Sequence, residues 1–240
     1  MAKKTSNPAA RLHALLAEAL KFPDNQHTGE VWRQVLGAPI GDHKTFLRLS
    51  HELLSLYAEV VERVEGFNKG DKKLFLKWTG PVSNVLTPMA YQNGWASTKT
   101  NLKPEVMDAL EFTAERFDFV EAGTEETITA DQLKKLLTDV EKLQKSIVES
   151  ELDERVKSIL WQQAENIRLA VHAYKIRGAS AVRESLERAF GAVVINAKVF
   201  REVKHPIVER FKDLMLETYQ SIEPILGIAA GAAAVKELLG

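Results

Sequence analysis

The sequence predicts an all-α protein: an antiparallel helical bundle with an irregular basic-aromatic insert and a small-residue C-terminal helix. Two observations carry that prediction. Apolar residues recur at threes and fours over long stretches, which puts them on one helical face. Helix punctuation is frequent, from Asn7-Pro8 to the Thr129-Ala-Asp-Gln132 capping pattern. Period-two alternation, the mark of a half-buried strand, finds only Val193-Val194-Ile195, too short to argue for a sheet.

The elements follow in order. Asn7 is an N-cap with Pro8 at the first helical position, followed by Leu12, Leu15, Leu16 and Leu20. Thr28 caps a short helix ending near Gly37. A long helix from about His43 carries Phe46, Leu49, Leu53, Leu56, Tyr57, Val60 and Val64 and stops at Gly66. From Asn68 to Asn101 the pattern breaks into short helices and loops. After Pro104 the period returns through Val106, Leu110, Ala114 and Phe117. The helix opened by Thr129 has its seam at Leu136, Val140, Leu143 and Ile147.

A turn at Ser150–Asp153 reverses the chain. The next helix is expected to run to Gly178 with Val156, Leu160, Gln163, Ile167, Ala170 and Tyr174 on one stripe. Gln163 and Asn166 fall on or beside that stripe, and Glu165 and Arg168 near the solvent side. The short connection makes the pair an antiparallel hairpin. Gly178 reads as a helix stop, Ser180 as the next cap, and Pro206 as the start of another helix, with Val208, Phe211, Met215, Thr218 and Ile222 in its seam. The chain thus divides into N-terminal helices at 1–66, an irregular basic-aromatic segment at 67–103, a helical bundle at 104–222 and an apolar helix at 223–240.

Composition bounds the function. A chain of 240 residues, 45% apolar and 27% charged, folds around a core. It has no cysteine, which excludes disulfides, thiolate nucleophiles and thiolate metal sites. The first residues, MAKKTSNPAARLHALL, carry no long apolar core of a secretion signal, so the cytoplasm is the expected compartment. The net charge of −1 hides an asymmetry. Six lysines oppose one acid between Gly66 and Lys103, and fifteen acids oppose six bases between Glu105 and Val156. Local fields of this kind steer charged partners whatever the total.

Two segments carry candidate functions. Lys72, Lys73, Lys77 and Lys99 are interleaved with Trp78 and Trp95. Ammonium groups neutralise phosphates and aromatic faces stack on bases, so these six residues are the candidate site for a nucleotide or single-stranded oligonucleotide. The competing reading is that the aromatics are core and the lysines solvate the outside. Pro224 to Val235, PILGIAAGAAAV, is an uncharged run of small residues. Gly227 and Gly231 stand four apart, as do Ala230 and Ala234, and small residues at that spacing let two helices approach closely. This segment is expected to pack against copies of the chain or to meet the inner membrane.

Other signatures are missing. Gly66 and Gly70-Asp71-Lys72-Lys73 lack the spacing, hydroxyl residue and preceding strand of a phosphate loop. His51-Glu52 has no second histidine four residues on, and neither a nucleophile elbow nor a dinucleotide turn is present. No catalytic residue, metal ligand or cofactor is assigned.

Residues Ile147 to Gly191, IVESELDERVKSILWQQAENIRLAVHAYKIRGASAVRESLERAFG, resemble a pattern of uncharacterised bacterial helical proteins, which pair an acidic helix and turn with a long helix ending Tyr-x-Ile-x-Gly, here Tyr174 to Gly178. The resemblance covers about a fifth of the chain and implies a bacterial source. The architecture, helices followed by a hydrophobic end, is similar to that of membrane-acting antiphage effectors of the Hailong type, in which an oligonucleotide controls a channel. What these features imply is a non-enzymatic homo-oligomeric defence effector forming a ligand-controlled membrane assembly or pore. The alternatives are a soluble helical adaptor or scaffold, and a hydrolase using carboxylates of the acidic helices.

Overall fold

The computed structural model describes residues 7–67, 71–120 and 127–226, the side chains of 88, 89, 120, 197, 199, 201 and 221–226 excepted. Gly227, Ala230, Gly231 and Ala234 lie outside the described residues. The protein is all-α, and among the described residues the only β feature is an isolated bridge between His27 and Gly94. The chain forms two compact units, residues 1–125 with 175–178, and residues 126–174 with 179–240.

The first unit is built on α1 (Pro8–Ala19), α2 (Thr28–Val35), α3 (His43–Glu65) and α7 (Pro104–Val120). Between α3 and α7 lie α4 (Lys72–Phe75), α5 (Thr79–Leu86) and α6 (Trp95–Thr98), joined by 3-10 turns at Pro88–Gln92 and Lys99–Asn101. Local sequence explains each start. Asn7 accepts from the Ala10 amide at 2.8 Å, and Asp42 accepts from the Thr45 amide at 2.9 Å. Thr28 is not a cap: His27 occupies that position, and the buried Thr28 hydroxyl instead donates to Thr98 Oγ1 at 2.8 Å. The predicted apolar faces of α1 and α3 are buried except for Leu20 and Tyr57, which are half-buried, and Trp32, Trp78, Trp95 and Phe117 join them in the core. The helix after Pro104, read from sequence with the bundle that follows, packs here on α1 and α4.

The second unit holds α8 (Ala130–Glu149), α9 (Glu154–His172), α11 (Ala179–Ile195), α12 (Ala197–Glu202) and α13 (Pro206–Leu226). Helix α8 packs on α9, α9 on α11, α11 on α13 and α13 back on α8, so four helices close a ring around one core. That core contains Leu136, Val140, Leu143, Ile147, Leu160, Ile167, Val182, Leu186, Phe211 and Met215. The capping box forms in both directions between Thr129 and Gln132.

Four sequence expectations need correction. The stripe expected to run to Gly178 is broken at Ala173, and a separate turn, α10 (Tyr174–Arg177), follows. Ser180 lies inside α11, which begins at Ala179. Pro224 does not separate two helices, because α13 continues through it to Leu226. Glu165, expected near solvent, is buried at 4% exposure.

Gly178 stops α10 with φ +68°, a left-handed conformation in which a Cβ meets the following carbonyl oxygen. Gly178→Ala is therefore expected to lower stability by about 1–2 kcal/mol without changing helix content. Urea unfolding followed by circular dichroism reads this directly.

Candidate functional site

The basic-aromatic segment is where sequence placed the ligand site, and its two halves separate in space. Asp71 starts α4 by accepting from the Lys73 amide at 3.0 Å. That single turn holds Lys72 and Lys73, with Lys77 just beyond, all exposed. Leu74, between them, is 51% exposed. The Lys72 ammonium donates to the Glu65 carbonyl at the end of α3. Lys99 lies apart from this group, half-buried and ion-paired with Asp24.

Trp78 and Trp95 are both fully buried. The Trp78 indole N–H donates to Thr113 Oγ1 on α7 at 3.2 Å, and its ring meets Tyr57 edge-on at 5.7 Å. Trp95 follows the His27–Gly94 bridge and is held by its backbone, whose amide donates to the Gln26 carbonyl at 2.8 Å. Neither indole offers a face to a base. The six candidate residues thus give an exposed cationic turn, one paired lysine and two core tryptophans.

Around Trp95 the core is unusually polar. Trp95 Nε1, Gln26 Oε1 and Arg33 Nη1 are buried and have no hydrogen-bond partner among the described residues. Tyr91 packs against Phe46 at 5.7 Å, and the Arg33 guanidinium lies over the Phe46 ring, 4.5 Å from its centre. Burial pushes the Tyr91 phenol up from its ordinary value, and the facing Ser50 hydroxyl offsets part of that rise. Ser50 itself donates to the Phe46 carbonyl at 2.9 Å, and the Tyr91 hydroxyl makes no hydrogen bond of normal geometry.

Two further features were not found from sequence. One is an open cleft of about 710 Å³ between α1 and α7. Ala10, Ala14, Ala17 and Ala114 make a small-residue lining, Glu111, Glu115 and Asp118 come from α7, and His13, Lys21 and Lys175 add basic groups. The alanine spacing on α1 was visible, but alanines give no hydrophobic peak strong enough to mark a face.

The other is a buried polar relay in the second unit. Glu165 on α9 accepts from Arg168 Nε at 2.8 Å and from Gln144 Nε2 on α8 at 3.0 Å. Arg168 Nη1 lies 3.4 Å from His172 Nε2. A carboxylate at this depth requires such partners, since an unpaired buried charge is costly. Gln163 and Asn166 are half-buried beside it, at 3.4 Å from one another. Among the described residues, no group of three or more His, Asp or Glu side chains is placed to hold a metal ion.

These environments predict two contrasts. Trp78→Phe removes the N–H that Thr113 Oγ1 accepts, whereas Trp95→Phe deletes an N–H without a partner among the described residues. Trp78→Phe should therefore be the more destabilising by about 1 kcal/mol in urea unfolding. Glu165→Ala leaves the partly buried Arg168 without its carboxylate and should cost about 1–3 kcal/mol, with Glu165→Gln costing less.

No protein-family model matches the chain, and neither a curated protein nor a solved structure matches it.

Proposed function

We infer that the chain is a non-enzymatic protein that works by assembling with copies of itself. The observation that supports this best is on α7. Phe112 and Phe119 stand seven residues apart on one face of that helix and are 63% and 80% exposed. Two turns bring residues at that spacing back into line. Isolated exposed apolar residues are ordinary, but two aromatic rings in register form a patch of the kind that marks an interaction surface. The uncharged run from Pro224 to Val235 supports the same reading from sequence.

The bacterial defence form of this reading gives the terminal run a place in the inner membrane and the lysine turn an anionic ligand as trigger. Among the described residues no helix is long and apolar enough to cross a membrane. The terminal run is twelve residues, about 18 Å as a helix against about 30 Å of hydrocarbon, so several copies and a locally thinned bilayer are required. The ligand reading narrows to phosphate contact through Lys72, Lys73 and Lys77, because the indoles are enclosed.

Light scattering of the full chain tests the central reading: more than one copy is expected across the micromolar range. The membrane form is read separately, by flotation and leakage with liposomes of bacterial lipid. The parent should float and Ala230→Lys with Ala234→Lys should not. If neither floats or leaks, the soluble scaffold is the correct form.

The anion step has its own expected signature. Short oligonucleotide binding, measured by anisotropy of a labelled strand, should weaken steeply with salt and fall on replacing Lys72, Lys73 and Lys77 by Ala. Tryptophan emission should stay constant throughout; a quench on binding points to opened indoles instead.

A further inference from the structure

The surface along helix α7 and the neighbouring α4 turn carries three strips, and their order is set by what each side of α7 touches. On one flank Thr113 meets α4: its hydroxyl accepts from Trp78 and lies 3.2 Å from the Phe75 carbonyl. Phe67 extends this flank, packing edge-on against Phe75 at 5.7 Å and Phe117 at 5.5 Å. The exposed cations Lys73 and Lys77 and the exposed Leu74 belong to this side. On the opposite flank Glu111, Glu115 and Asp118 face α1 across the cleft. Between the flanks stand the exposed Phe112 and Phe119, with Asp108 also exposed beside them. Arg116 joins the strips, its guanidinium 5.8 Å from the Phe67 ring centre and 5.5 Å from that of Phe119.

A cationic strip, an aromatic strip and an anionic strip in that order are complementary to themselves. If a second copy is turned by a two-fold axis that runs along the aromatic strip, its phenylalanines meet Phe112 and Phe119. Its lysine turn then faces Glu111 and Glu115, and its own acids face Lys73 and Lys77. Such an isologous contact repeats each charge pair twice and closes, so it ends at a dimer rather than a filament. Both charges come from the same chain, so the complementarity favours a second copy over an unrelated basic partner, which would meet Lys73 and Lys77 with repulsion.

We propose that this face is a two-fold self-docking surface, with Phe112 and Phe119 at its centre and the pairing of Lys73 and Lys77 with Glu111 and Glu115 of a second copy at its edges. This rests on the self-association reading above, and it assigns that association to the first unit rather than to the terminal glycines.

Charge reversal in the full chain tests it. One variant carries Lys73→Glu and Lys77→Glu, the other Glu111→Lys and Glu115→Lys. Each alone places like charges opposite one another twice in every dimer. Each is expected to self-associate at least tenfold more weakly than the parent by sedimentation equilibrium. Mixed together, the two variants restore opposite charges at both edges and should form a heterodimer at close to parental affinity, more weakly in high salt. Phe112→Ser with Phe119→Ser should abolish association while leaving the thermal melt intact, because both rings are exposed. Charge variants that associate like the parent, or a mixture that stays monomeric, overturn the proposal. If in addition Gly227→Leu with Gly231→Leu dissociates the protein, self-association stands and only its location here is wrong. A parent that is monomeric throughout the micromolar range removes both.

Discussion

The burial of Trp78 against α7 is the interaction on which the first unit depends. A buried indole needs a partner for its N–H, and Thr113 supplies it from the middle of α7 at 3.2 Å. The same hydroxyl lies against the Ala109 carbonyl of its own helix at 2.9 Å and the Phe75 carbonyl of α4 at 3.2 Å. One side chain thus fixes where α4 sits on α7 and how deep Trp78 goes. The lysines of the turn are exposed for that reason: with Trp78 drawn inward, the turn's polar residues are left on the outside. Basic character and aromatic character, adjacent in sequence, are sorted to opposite sides of the same short segment.

This sorting explains what was legible in the sequence. Long helices announce themselves because many residues repeat one period: Leu136, Val140, Leu143 and Ile147 are all buried as their spacing requires, and the Thr129–Gln132 box forms where its chemistry places it. Short helices carry a single turn, so period says nothing about which way Trp78 or Trp95 faces. Glu165 shows a different limit. Periodicity places it near the solvent side of α9, but it is buried, held by Gln144 of another helix and by Arg168 one turn on. No spacing rule reports a partner on a second helix. Pro224 shows a third: proline removes one backbone hydrogen bond, yet α13 continues through it to Leu226, so a proline after an apolar period does not by itself end a helix.

The two polar interiors also differ in kind. In the second unit Glu165 and Arg168 are joined to each other and to Gln144, so the polar groups cross-link α8 and α9. Around Trp95 the polar atoms are buried, and among the described residues Trp95 Nε1 and Gln26 Oε1 have no hydrogen-bond partner. Each enclosed orphan costs about 1–3 kcal/mol, so that region is held by ring packing and by the backbone pairing of Gln26 with Trp95, not by its side-chain polarity. Gly29 contributes there by shape: a Cβ at that position approaches the Tyr91 carbonyl to 3.1 Å, so the small residue keeps the 3-10 turn close to α2.

Helix α7 has a second burden that follows from the first. Its inner face, Val106, Leu110, Thr113 and Phe117, is committed to the core. An ordinary surface helix is polar over the rest of its circumference, yet Phe112 and Phe119 stand exposed on the outside between acids and the lysine turn. Exposed ion pairs contribute about 0–1 kcal/mol each, too little to hold two copies together. Aromatic rings supply the larger area when buried, but rings alone choose neither register nor orientation. In the self-docking contact proposed for this face the division of labour is physical: burial of the phenylalanines would supply the driving force, and the flanking charges would select the one arrangement in which unlike signs meet.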